Sequence, residues 1–162
     1  MKARLLLTLA LLFSGAALAA PLPKPKPAKK TPTGLEAMQG LWEVQSRVRG
    51  NGPPLTVPVT QKFVKIEGNT WTFLRADATT PGGTTCQIQL DTNHKPALLD
   101  LIFNVPVGGA AQPAALNLLY TGRMELEGNT LRFCYTLRKE RPATMTPQNV
   151  GEYLLTLQRV QK

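Results

Sequence analysis

From position 34 onward, large apolar residues recur at every second position rather than every third or fourth. A period of two is the signature of strands whose two faces meet different surroundings. Trp42, Val44 and Val48 alternate with Glu43, Gln45, Arg47 and Arg49, which predicts a first strand with one apolar and one charged face. Further alternating segments at about 59–66, 70–75, 86–90, 98–105, 115–126, 131–137 and 153–160 make eight strands in all. Only the stretch 34–39 departs from this pattern, and it predicts a short N-terminal helical turn. The chain is therefore read as all-β.

Two connections share one design. Ile66-Glu67-Gly68-Asn69-Thr70-Trp71-Thr72-Phe73 and Leu126-Glu127-Gly128-Asn129-Thr130-Leu131-Arg132-Phe133 both place Glu-Gly-Asn-Thr ahead of alternating large residues. Gly and Asn tolerate the positive φ of primed turns, so both are read as tight two-residue hairpins that pin the register of their strand pairs. Eight antiparallel strands with short connections close into a barrel or split into a two-sheet sandwich. The spacing leaves both open.

Charge changes the picture once it is located. The 162 residues carry 19 Lys and Arg against 10 Asp and Glu, a formal net charge of +9. Lys2 and Arg4 precede the apolar run 5–13, and Ala17-Leu18-Ala19 supplies the small residues read by a signal peptidase, so residues 1–19 are read as a secretory signal peptide. No Cys follows the run for lipid attachment, and no transmembrane segment is expected in the mature protein. Residues 20–33 hold five prolines, four lysines and one large apolar side chain, the composition of a disordered linker that samples polyproline II. Two basic residues fall in the signal and four in the linker, leaving 13 against all 10 acids in the domain 34–162. A domain this close to neutral, with scattered basic residues, is not expected to bind nucleic acid. The charge that remains distinctive sits in the linker, where it suits anionic surface polymers. The protein is expected to be exported to the periplasm or the extracellular space.

Four segments together carry a family resemblance: Gln39-Gly40-Leu41-Trp42; Lys95-Pro96 followed by Leu99-Asp100-Leu101; Gly128-Asn129-Thr130-Leu131-Arg132-Phe133-Cys134; and Lys139-Glu140-Arg141-Pro142. With them, the chain from about Leu35 to Lys162 resembles the secreted lipocalin-like family of unknown function that is abundant in planctomycete-type bacteria. It departs from that family in the Ala- and Pro-rich loop 108–115, at Met145 where an aromatic is usual, and at 147–151 where a tighter turn is usual. The resemblance implies an antiparallel, up-and-down, eight-stranded lipocalin-like barrel of calycin type. It implies no activity and no cofactor. In lipocalins a Trp in the Gly-x-Trp motif packs beneath the barrel floor against an Arg from near the last strand, so the resemblance implies a structural pair of Trp42 and Arg159, a cation over an aromatic face.

The search for chemistry yields little. His94 is the only histidine and sits in a connecting loop beside Asp91, without a second imidazole for a metal or a nucleophile turn for a triad. No catalytic residue and no metal site are expected. Cys86 and Cys134 meet an oxidising compartment if exported, yet they fall on opposite parities of their strands, so a disulfide and two packed thiols both remain open. The inward-facing set is more informative. Trp71, Phe73, Phe103, Tyr120, Phe133, Tyr135 and Tyr153 either line a site for a small apolar ligand or fill the barrel. The expected function is a non-enzymatic ligand-binding barrel, with a filled interaction module for an envelope protein as its rival, using loop 108–115 or loop 139–142 as contact surface.

Overall fold

The computed structural model of the protein describes residues 34–107, 114–138 and 140–161. The expected signal peptide, the Lys/Pro linker and most of loop 108–115 lie outside the described residues, as does Lys139.

A helical turn α1 (Leu35–Met38) leads into β1 (Gly40–Arg49). The strands β2 (Pro54–Leu55), β3 (Phe63–Glu67), β4 (Thr70–Leu74), β5 (Pro81–Asp91), β6 (Ala97–Val107), β7 (Ala114–Glu127), β8 (Thr130–Thr136) and β9 (Glu152–Arg159) follow. From β3 to β9 each strand pairs antiparallel with its successor, β3 pairs with β1, and β9 pairs back on β1. The sheet thus closes into an eight-stranded up-and-down barrel of lipocalin-like form, which removes the free edges an open sheet would present. The two-residue β2 is extra to the barrel: it pairs with Arg47 and Val48 of β1, beyond the reach of β3, which pairs with positions 40–43.

Both Gly-Asn connections are two-residue hairpins, with Glu67 opposite Thr70 and Glu127 opposite Thr130. Glycine alone carries the positive φ, 57° at Gly68 and 56° at Gly128, while neither asparagine does, a pattern that fits a type II′ turn. One expected strand is shorter than its sequence pattern. Residues Val59–Gln61 form a 3-10 turn, and the extended chain starts only at Phe63. This turn lies directly on Gly82 of β5, where an added Cβ would stand 1.7 Å from the Thr60 carbonyl oxygen. Close backbone contact replaces strand pairing there.

The hairpins at 68–69 and 128–129 lie at the same end of the barrel as α1, hereafter the floor. Gln39 clamps α1 to the first hairpin, its Nε2 donating to Leu35 O (2.8 Å) and Gly68 O (2.9 Å) while its Oε1 accepts from Gly68 N (2.7 Å). Met38, Trp42, Val64, Leu131 and Leu157 seal this end at 0% exposure. Trp42 Nε1 donates to Met38 O (2.8 Å), and the Arg159 guanidinium lies 4.1 Å from the centre of the Trp42 ring. Arg159 also donates to the carbonyls of Gln39 and Ala37, so a single cation ties the last strand, the first strand and the helical turn together.

The other long connection, between β8 and β9, folds back over the outer wall. Arg141 holds both Asp100 carboxylate oxygens, at 2.7 and 3.1 Å, and donates to Gly122 O; Arg123 Nε reaches Pro142 O at 2.8 Å. Asp100 accepts from Thr121 as well (2.7 Å). This strap covers the outer side of β7 and β8, where Thr121, Cys134 and Thr136 are buried although they do not face the interior. Among the described residues no helix is long and apolar enough to cross a membrane.

The first strand does not keep the two faces its alternation predicts. Val44 pairs with Leu157, but the next pair is Ser46 with Thr156, so Gln45 is an extra residue in a β-bulge. An extra residue inverts the parity of everything after it. Arg47 now stands opposite Leu155 and Arg49 opposite Tyr153, both inward positions of β9, while Val48 moves to the outer face with Leu154. The expected apolar face therefore ends at Val44, and the upper half of β1 turns arginines toward the interior.

Replacing Trp42 by Ala removes the largest fully buried side chain of the floor. It is expected to cost about 3–5 kcal/mol, and Arg159→Ala is expected to destabilise as well by freeing three helix-end and ring contacts. Urea midpoints unchanged in both variants would overturn the floor assignment.

Candidate functional site

Above the floor, alternating inward positions of five strands bring seven aromatic side chains together. β8 contributes Phe133 and Tyr135, β4 contributes Trp71 and Phe73, and β6, β7 and β9 contribute Phe103, Tyr120 and Tyr153. These are the seven residues expected to line or fill the interior, and they form one connected array. Trp71 meets Phe73 at 6.0 Å and Phe133 at 6.1 Å between ring centres. Phe133 stacks on Tyr135 at 5.0 Å, and Tyr135 stacks in turn on Tyr120 at 5.1 Å and Tyr153 at 5.3 Å. Phe103 closes on Tyr120 at 4.4 Å. Offset contacts of this kind each add about 0.5–1.5 kcal/mol beyond burial.

Room for the stack comes from a missing side chain. Gly122 occupies an inward position of β7 opposite Tyr135. A Cβ there would stand 2.6 Å from Phe133 Cε2 and 2.3 Å from the Cys134 carbonyl oxygen, so no other residue fits without moving the wall.

Burial falls along the array. Trp71 and Phe133 are 0% exposed and Tyr135 4%, whereas Phe73, Tyr120 and Tyr153 are only half-buried. At this upper end the β-bulge delivers the two arginines. Arg47 lies with its guanidinium carbon 4.8 Å from the Tyr153 ring centre and Arg49 at 5.8 Å, on the geometry of cation–π contacts. Arg49 Nε is engaged by Val150 O at 2.6 Å. Arg47 Nε is shielded from solvent and has no partner, as is Trp71 Nε1. Burial pushes the Tyr120 and Tyr135 hydroxyls above the usual phenol range, opposed in both by the nearby Arg47 charge. Both tyrosines thus stay protonated at neutral pH and can donate a hydrogen bond.

Sequence reasoning missed Arg47, Arg49 and Gly122. The arginines read as solvent-facing because the period-two count ran unbroken through Gln45. Gly122 lacks a turn signal around it, and its requirement appears only when the aromatic rings of the neighbouring strand are in place.

The remaining sequence candidates are placed as follows. Cys86 faces the interior, its Sγ donating to Trp71 O at 3.4 Å, while Cys134 lies under the outer strap; both thiols are free. They stand on opposite faces of the wall, so the Cys86–Cys134 bridge is not formed. Burial pushes the Cys86 thiol up to about 12, and burial together with Glu152 pushes Cys134 up to about 11. His94 lies on the exposed turn between β5 and β6, 3.1 Å from Asp91 Oδ2. Asp91 is held below the usual carboxylate range first by the Asn93 backbone N–H. Among the described residues no three His, Cys, Asp or Glu side chains come together in a way that could hold a metal ion.

No protein-family model, curated protein or solved structure matches the chain.

Gly122→Ala is expected to lower the urea midpoint by the equivalent of about 1–3 kcal/mol and to disturb the near-ultraviolet circular dichroism of the tyrosines. An unchanged spectrum and midpoint would refute the close approach at Gly122. Both cysteines are expected to resist an aromatic disulfide reagent at pH 8, where raised pKa and burial leave little accessible thiolate. In urea the count should rise to two thiols per chain, and a count of zero would show a bridge.

Proposed function

We propose that this chain is an exported, non-enzymatic barrel protein that takes a small, largely apolar ligand into the upper half of its interior. The observation that carries the reading is the asymmetry of that interior. Its floor is closed by side chains with no exposure, whereas its aromatic array runs without interruption from buried Trp71 to half-buried Tyr120 and Tyr153 at the other end. Aromatic walls with a few convergent polar groups are the usual composition of small-molecule sites. The resemblance to a secreted lipocalin-like family of unknown function supports export and the barrel shape, and leaves the ligand to the interior itself. Export rests on the signal-like segment 1–19, and the Lys/Pro linker at 20–33 then acts as a basic tether toward anionic polymers of the cell surface.

One observation favours the rival reading of an envelope interaction module. The segment between β8 and β9 exposes Leu137 (55%) and Val150 (71%), with Val59 exposed at 71% on the turn that follows β2. Native mass spectrometry of the protein purified from its own host separates the two. A small bound mass that is lost on denaturation, with the naphthylamine fluorophore N-phenyl-1-naphthylamine competing for the same site, is the expected result. A bare chain that fails to bind the fluorophore would overturn the carrier reading in favour of the interaction module.

A further inference from the structure

Two side-chain polar atoms among the described residues are shielded and unpartnered, and both are N–H donors of residues that face the barrel interior: Arg47 Nε and Trp71 Nε1. Buried donors are nearly always paired in folded proteins, so two in one interior point to a missing acceptor. Trp71 connects to Tyr135 through Phe133, and Tyr135 to the ring of Tyr153 beneath Arg47. Both donors thus border the same aromatic array.

Arg47 also lacks a counter-charge. The ion pairs among the described residues join Lys62 to Glu43, Lys65 to Glu67, His94 to Asp91, Arg132 to Glu125 and Arg141 to Asp100, and none includes Arg47. A shielded Nε–H without an acceptor is costly. Here the arginine is also deliberately placed. The Gln45 bulge turns it inward, and its backbone is held on one side by Leu155 of β9 and on the other by Leu55 of β2. A cation held over the Tyr153 ring and fixed by backbone pairing on both edges, with its Nε–H left unpartnered, has the features of a preorganised binding group.

We infer that Arg47 is the anion-binding group of the barrel and that its ligand is an apolar monocarboxylic acid, the carboxylate lying on the Arg47 guanidinium and the apolar body against the aromatic array. This rests on the reading of the interior as a ligand site and adds the charge and class of the ligand. A single negative charge is favoured over a phosphate dianion because only Arg47 keeps its Nε–H unpartnered: the Nε of Arg49, the other cation over Tyr153, already donates to Val150 O. A carboxylate suits the planar fork of an arginine, and the hydroxyls of Tyr120 and Tyr135 offer further donors nearby.

The test is isothermal titration calorimetry of the delipidated chain with dodecanoate and with dodecanol, which share a tail and differ in charge. The chain is expected to bind dodecanoate at least tenfold more tightly. Arg47→Gln should abolish that preference while dodecanol affinity stays within twofold, and Arg49→Gln should retain it. Ligand-free Arg47→Gln is expected to fold with a urea midpoint slightly below that of the parent, because the contact of Arg47 with the Tyr153 ring is lost. Should Arg47→Gln fail to fold, Arg47→Lys serves instead, with the preference expected to fall at least threefold. Equal affinity of the parent for acid and alcohol, or a preference that survives loss of Arg47, would overturn the anion assignment and leave the ligand site standing. Failure of both compounds to bind would overturn the two together.

Discussion

The barrel depends on the seam where the last strand meets the first. Seven of its strand pairings join neighbours along the barrel wall, but only β1 against β9 brings the two ends of the domain together. That seam is reinforced at the floor, where Arg159 lies over Trp42 and donates to the carbonyls at the end of α1. The guanidinium does three jobs that a neutral side chain cannot combine: it stacks on an indole, caps two backbone acceptors and locks the register of the closing pair. A slip of one residue would reverse every inward side chain of β9 and bring Gln158 and Thr156 into the core.

The same seam contains the one irregularity that shapes the interior. Below Gln45, β1 presents Trp42 and Val44 to a sealed apolar floor; above it, the strand presents Arg47 and Arg49 to tyrosines. One inserted residue thus divides the barrel into a half that stabilises and a half with polar groups left over. The division of labour follows from energetics. Apolar side chains at no exposure supply the burial that holds the fold, and they allow the upper half to keep a guanidinium that makes no ion pair among the described residues.

The outer strap solves a related problem. Asp100, Thr121 and Arg123 are polar positions of the outer wall, where they would ordinarily meet water. Arg141 and Pro142 bring the β8–β9 connection down on them: Arg141 forms a bidentate ion pair with Asp100, which also accepts from Thr121, and Pro142 O accepts from Arg123. Cys134 and Thr136 are buried as a result, so an outward parity on β8 does not mean exposure. Further along the same connection, Val150 O accepts from Arg49.

Much of the fold was legible from local pattern because its causes are local. Period-two alternation marks strands through side-chain geometry, Gly68 and Gly128 mark hairpins through the positive φ they permit, and the seven aromatic residues face inward because they sit on strands of regular parity. Cys86 and Cys134 lie on opposite faces for the same reason, since β5 and β8 keep their count between these residues and their partners. What local pattern did not contain was the bulge at Gln45. A bulge is one residue too many on one strand of a pair, here Val44, Gln45 and Ser46 against Leu157 and Thr156 of β9, more than 100 positions away. The sequence by itself determined which residues form strands and where they turn; only the closed tertiary structure decided that Arg47 faces inward, because the face a side chain takes depends on the register of a partner that the chain meets last.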